Sequence, residues 1–117
     1  MPKPIVPFET FAELDIRVGT VLAVRPAETK KPVWRMTIDF GPDIGERVSC
    51  GAYTNYPADR MVGKQVVAVV NFAAKKMGSE ISEALVLGIK NPDGQGTILL
   101  TVDKMGDQPG PNGAEVF

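Results

Sequence analysis

The chain contains no histidine. That absence removes the commonest general base, the commonest metal ligand and every Ser-His or Cys-His arrangement at once. There is a single cysteine, Cys50, so no disulfide can form within the chain and the composition suits a reducing compartment. Free cysteine is most often simply buried, and Cys50 reads as the filler of a small site rather than a reactive thiol. Long apolar runs are missing too: none approaches the roughly 20 residues of a spanning helix, and Met1-Pro2-Lys3-Pro4 precedes nothing like a signal-peptide core. A soluble, cytoplasmic protein with no membrane partner is expected. Charge of one sign is also lacking. With 13 basic and 14 acidic residues the formal net charge is -1, so any anion binding must come from a local patch.

What is present suits one small domain. In 117 residues 44 % are hydrophobic, enough for one packed core and too little surface for a second unit. Residues 1–7 carry prolines at 2, 4 and 7 and read as an extended, flexible arm ahead of a domain spanning 8–117. Phe8, Phe11 and Leu14 recur at helical spacing and suggest one short turn, a lid on a barrel end or a subunit contact. The first strand runs Asp15–Val24, and its period slips around Gly19, where a bend or bulge is expected. Trp34, Met36, Ile38 and Phe40 alternate on one strand face, and Gly41–Gly45 supplies turn chemistry before Arg47–Cys50 resumes as strand. Val66–Val70, Ala84–Ile89 and Thr97–Val102 are further strands, with Asn91–Gly96 a turn. Glu115-Val116-Phe117 suggests a terminus that packs somewhere. Several short strands with glycine at the bends point to a small closed β-barrel, with a β-sandwich as the structural rival.

No residue set supports catalysis, and no metal or cofactor is expected. Asp39 and Asp43 flank a turn, Glu80 and Glu83 bracket Ser82, and both pairs read as ordinary surface carboxylates without ligand spacing. Gly41-x-x-x-Gly45 lacks the lysine and hydroxyl of a phosphate loop. The basic turn Lys75-Lys76-Met77-Gly78-Ser79 is more informative. Two lysines leave a strand side by side, with Asn71 before them and Ser82 after. Lysines neutralise phosphate, while Asn71 and Ser82 add short-range donors and acceptors. With Trp34, Tyr53 or Tyr56 in reach, such a patch suits looped or single-stranded RNA; alternatively the lysines only solvate an edge loop. Arg17, Arg25, Arg35, Lys30 and Lys31 are candidates to extend the footprint, and Arg17 and Arg35, in strands, are expected to point outwards, opposite to their apolar neighbours. Ser49 lines the binding face or satisfies a backbone group at a bulge.

Five segments together resemble the tRNA-binding domain family. They are Phe11-x-x-Leu14-Asp15-Ile16-Arg17-Val18-Gly19-Thr20-Val21, Ile38-Asp39-Phe40-Gly41, Gly63–Phe72, Lys75-Lys76-Met77 and Ser82–Gly88. The family includes the C-terminal appendix of bacterial methionyl-tRNA synthetase and stand-alone, secretion-chaperone-like (CsaA-like) members. The resemblance implies an all-β oligonucleotide-binding (OB) fold, a five-stranded barrel with short terminal extensions, and a homodimer that binds tRNA without changing it. For the CsaA-like branch it also implies binding of unfolded or exported polypeptides. It puts the RNA-contacting patch at Asn71, Lys75, Lys76 and Ser82, to which the residue reading adds Arg35 and Ser49. Two departures weaken the expected grip on phosphate: Ile81 stands where relatives carry lysine, and lysines replace arginine forks.

Overall fold

The structure, a computed structural model, describes residues 1–117. Its spine is β1 (Ile16–Pro26), long enough to serve two partners. The first half of β1 pairs antiparallel with β4 (Gln65–Val69) and the second half with β2 (Trp34–Asp39). Outside these lie β3 (Glu46–Gly51), on β2, and β7 (Leu85–Val86), on β4, giving the five-stranded order β3-β2-β1-β4-β7. The two edges then approach each other. Val48 O accepts from Glu83 N at 2.7 Å and Ala84 N at 3.3 Å, and Ser82 Oγ accepts from Cys50 N at 3.0 Å. The result is the expected all-β, OB-like barrel, nearly closed, with a seam of side-chain and single backbone contacts instead of a continuous ladder.

Alternation fills it. Met36, Ile38 and Phe40 point inward from β2 and its end, and they meet Val21, Val66, Ala68 and Val86 in one cluster. The short helix α3 (Ala58–Met61) plugs the barrel with Met61, which is fully buried. Between β2 and β3, the segment expected as a turn forms one helical turn, α2 (Gly41–Ile44). Gly41 sits at φ 84°, and a Cβ there would lie 2.6 Å from Asn112 O, so both conformation and space demand glycine.

The structure corrects the expected role of Gly19. The register shift in β1 falls between Val21 and Ala23, leaving Leu22 as the extra residue. Gly19 is required by packing instead: a Cβ would come within 2.6 Å of Ile38 Cγ2 and 2.7 Å of the Phe40 ring. Arg17 is a second correction. Ile16 and Val18 are buried yet lie outside the core cluster, so the face of β1 opposite the core is covered too, and the C-terminal segment pairs along its edge. Gly113 N donates to Val18 O and Val116 N to Ile16 O, at 2.7 and 2.8 Å. Arg17, paired opposite the core residue Ala68, is drawn to Asp15 at 2.5 Å and to Gly113 O at 3.0 Å. Asp15 holds the guanidinium pKa above its ordinary value. Apolar neighbours on a strand with two covered faces do not say which face is the core.

Two small hairpins complete the chain, β5 (Lys75–Met77) with β6 (Glu80–Ser82) and β8 (Gly88–Lys90) with β9 (Thr97–Leu99). At the N-terminus α1 (Phe8–Ala12) contains no buried residue. Phe8 and Phe11 lie 6.1 Å apart, centroid to centroid, on its surface.

Candidate nucleic-acid interface

The lysines stand on a hairpin rather than a loose turn. Lys75 faces Ser82, Lys76 faces Ile81 and Met77 faces Glu80 across β5 and β6, with Gly78-Ser79 as the two-residue connection. Gly78 has φ 61°, and a Cβ would strike Glu28 O; this conformation is why glycine stands one place before the serine. Because side chains alternate along a strand, the two lysines splay. Lys75 shares a face with Met77 and lines the cavity at the barrel seam, whereas Lys76 lies with the exposed Ile81 on the opposite face.

Glu80 anchors the hairpin, which corrects its reading as an ordinary surface carboxylate. It is 7 % exposed. Its Oε2 accepts from Glu28 N at 3.1 Å and pairs with Arg25 at 3.0 Å, while Oε1 pairs with Arg35 at 3.4 Å. Arg25 and Arg35 are directly opposed across β1 and β2, a like-charge pair that would repel without a carboxylate between them. The Glu28 N–H holds the Glu80 carboxyl below its ordinary value, with Arg25 and Arg35 adding to that pull and burial opposing it.

Asn71 and Ser82 have structural partners. The Asn71 amide accepts from Asp15 N at 2.8 Å and donates to Glu13 O at 2.9 Å, clasping the link between α1 and β1. Ser82 Oγ accepts from Cys50 N and donates to Ala84 O at 3.2 Å, bracing the seam. Ser49 is 2 % exposed and points inward at the same register as Met36. The side chains of these three residues make no hydrogen bond to a lysine.

Sequence reasoning missed the cavity, which Ser49, Lys75 and Ser82 line and Asn71, Lys76 and Arg35 do not. It measures about 490 Å³ and lies between β3 and the Phe72–Val86 segment, walled chiefly by Tyr53, Phe72, Met77, Leu85 and Val86. Tyr53 is fixed there by donating its hydroxyl to Val86 O at 3.1 Å, and burial raises its pKa. Cys50 is half-buried at the edge, and burial, with Glu80 nearby, raises its thiol pKa; a raised thiol is a poor nucleophile at neutral pH. The only sequence signal for the cavity was the break in strand pattern between Phe72 and Ala84. Trp34 and Tyr56 stand apart from it, Trp34 Nε1 donating to Tyr56 O at 3.0 Å.

An OB-like barrel whose seam holds an apolar cavity beside a cationic hairpin defines the class as a small binding domain. Residues 16–110 match the family model described as "Putative tRNA binding domain", and the chain belongs to that family. It is 32 % identical over 114 residues to a methionine–tRNA ligase of Chlorobium chlorochromatii, covering 97 % of this chain and 15 % of that protein. The chain thus spans about a seventh of the length of the curated relatives it matches. Two solved structures are similar over nearly the whole chain. The CsaA chaperone protein from Picrophilus torridus superposes with a TM-score of 0.88 at 37 % identity, covering 97 % of this chain and all of that one. Chaperone CsaA from Bacillus anthracis gives 0.85 at 34 %, with the same coverage.

Proposed function

We propose that the protein binds structured RNA, tRNA above all, without catalysing a reaction on it. The family match across residues 16–110 carries this reading. Lys75 and Lys76 make the phosphate contacts from the Glu80-anchored hairpin. Asn71 and Ser82 act mainly by holding the frame, since their polar groups are already engaged. Arg35 contributes long-range charge, reduced by Glu80, and Ser49 acts from inside the cavity. With a net charge of -1, affinity rests on few cations, so it is modest and its salt slope is set by those few phosphate contacts. The protein works in the cytoplasm as a homodimer; exposed Ile5, Val6, Phe8 and Phe117 supply apolar surface for a second copy. The test is a tRNA titration at several salt concentrations with wild type and Lys75→Ala/Lys76→Ala. The double variant is expected to bind more weakly, with a log K against log salt slope shallower by about 1–2, since each phosphate left without its lysine removes one unit or slightly less. Unchanged affinity and slope would remove the hairpin from the site.

A second reading is favoured by the likeness to the two CsaA chaperones and by the apolar cavity: a dimer that holds unfolded or exported chains. Binding of a reduced, unfolded polypeptide that is insensitive to salt and competes with tRNA would support it.

A further inference from the structure

We infer that the seam cavity takes one unstacked nucleobase of a bound RNA and prefers a base carrying an amino group; this rests on the RNA-binding reading above. The observation that points to a ligand is Ser49. It is 2 % exposed and lines the cavity, and its hydroxyl makes no hydrogen bond within the chain. No side-chain nitrogen or oxygen sealed from solvent lacks a partner, so the Ser49 hydroxyl opens on the cavity. An aliphatic side chain entering there would bury that hydroxyl unsatisfied, at a cost comparable to a missing hydrogen bond. A ligand with a polar edge and an apolar face satisfies the hydroxyl and still covers Tyr53, Met77 and Val86. A nucleobase has both. Phe72, about half exposed at the wall, adds a surface for stacking. Lys75, on the same rim, is placed for the attached phosphate.

Glu83 sets the preference. Its Oε1 accepts from Val48 N at 3.2 Å, and no protein group donates to Oε2, while the residue belongs to the cavity lining. A free carboxylate oxygen accepts from the amino group of cytosine, adenine or guanine and repels the O4 carbonyl of uracil. The cavity volume falls in the range of about 300–1,000 Å³ typical of small-ligand sites, roomy enough for one nucleoside.

The experiment compares heptameric oligocytidylate and oligouridylate with intact tRNA by fluorescence anisotropy at one fixed salt concentration. Wild type is expected to bind the cytidylate about tenfold more tightly than the uridylate. Glu83→Gln keeps an acceptor for Val48 N and turns a donor to the base, so the preference should vanish or reverse. Ala73→Trp, from an exposed wall position, should fill the cavity and abolish the preference while leaving the salt slope intact. Equal affinity of wild type for the two heptamers, or a preference that both variants retain, overturns the base pocket. If wild type binds neither heptamer nor tRNA, the RNA-binding reading itself fails. Binding of tRNA that depends on Lys75 but shows no base preference removes only the pocket. Displacement of the cytidylate by an apolar heptapeptide, with Ser49→Ala improving peptide affinity, assigns the cavity to polypeptide and likewise overturns the inference.

Discussion

At the scale of single residues, the most consequential group is the Glu80 carboxylate, held between two arginines and the Glu28 N–H. Its pKa is lowered by folding from an ordinary 4.5, so its contribution to stability is fully present above that value. It is lost as pH falls through the lower, folded-state value. Glu80→Gln should therefore lower the melting temperature at neutral pH, and the gap to wild type should close on acidification below 4.5. Parallel melts across that range check it, and a gap that persists in acid would disprove the role. Gly19 gives a second expectation. Gly19→Ala places a Cβ against Ile38 and Phe40, and overpacking of this kind costs about 1–3 kcal/mol, readable by urea denaturation. Neither role was legible in the sequence. A glutamate directly after a glycine-serine turn looks solvated, and only the opposition of Arg25 and Arg35 across β1 and β2 explains its burial. Which β1 residue forms the bulge depends on pairing with β2, and that pairing joins residues far apart along the chain.

At the scale of elements, the positions of the main strands were largely readable because most alternate or run as short apolar stretches bounded by glycine and proline, whereas their pairing order was not. The β2 alternation gave its inward face directly. The hairpin was legible as a basic connection but not as two paired strands: three-residue strands carry too little periodicity, and without pairing the splay of Lys75 from Lys76 cannot be seen. That splay has a measurable consequence. Each single lysine-to-alanine change should flatten the salt dependence of tRNA binding by about one unit or slightly less, but only Lys75→Ala should also alter binding at the cavity, as followed with the cytidylate heptamer. The Asn71 clasp concerns another element, α1, which has no buried residue to hold it. Asn71→Ala removes both hydrogen bonds to the Glu13–Asp15 backbone. It should speed amide exchange at Asp15 and through residues 8–14 while costing about 1–3 kcal/mol at most.

At the scale of the whole molecule, the family resemblance implied the OB-like barrel, but the cavity emerges only when β3 meets the segment after the hairpin. Long-range closure of that kind leaves little trace in local composition. The apolar surface of α1 and the arm before it gives a whole-molecule expectation: sedimentation at micromolar concentration should show a dimer, and Phe8→Glu with Phe11→Glu should shift it toward monomer. A lone monomer in wild type would end that proposal. The C-terminal segment has a different bearing. By donating to Ile16 O and Val18 O and accepting from Val18 N, residues 113–116 occupy backbone groups that would otherwise form an open strand edge beside Ile16 and Val18. Such an edge is a template for stacking chain upon chain. The tail is thus a guard against aggregation as much as a fastening: removing residues 113–117 should raise light scattering on warming well before the barrel itself melts.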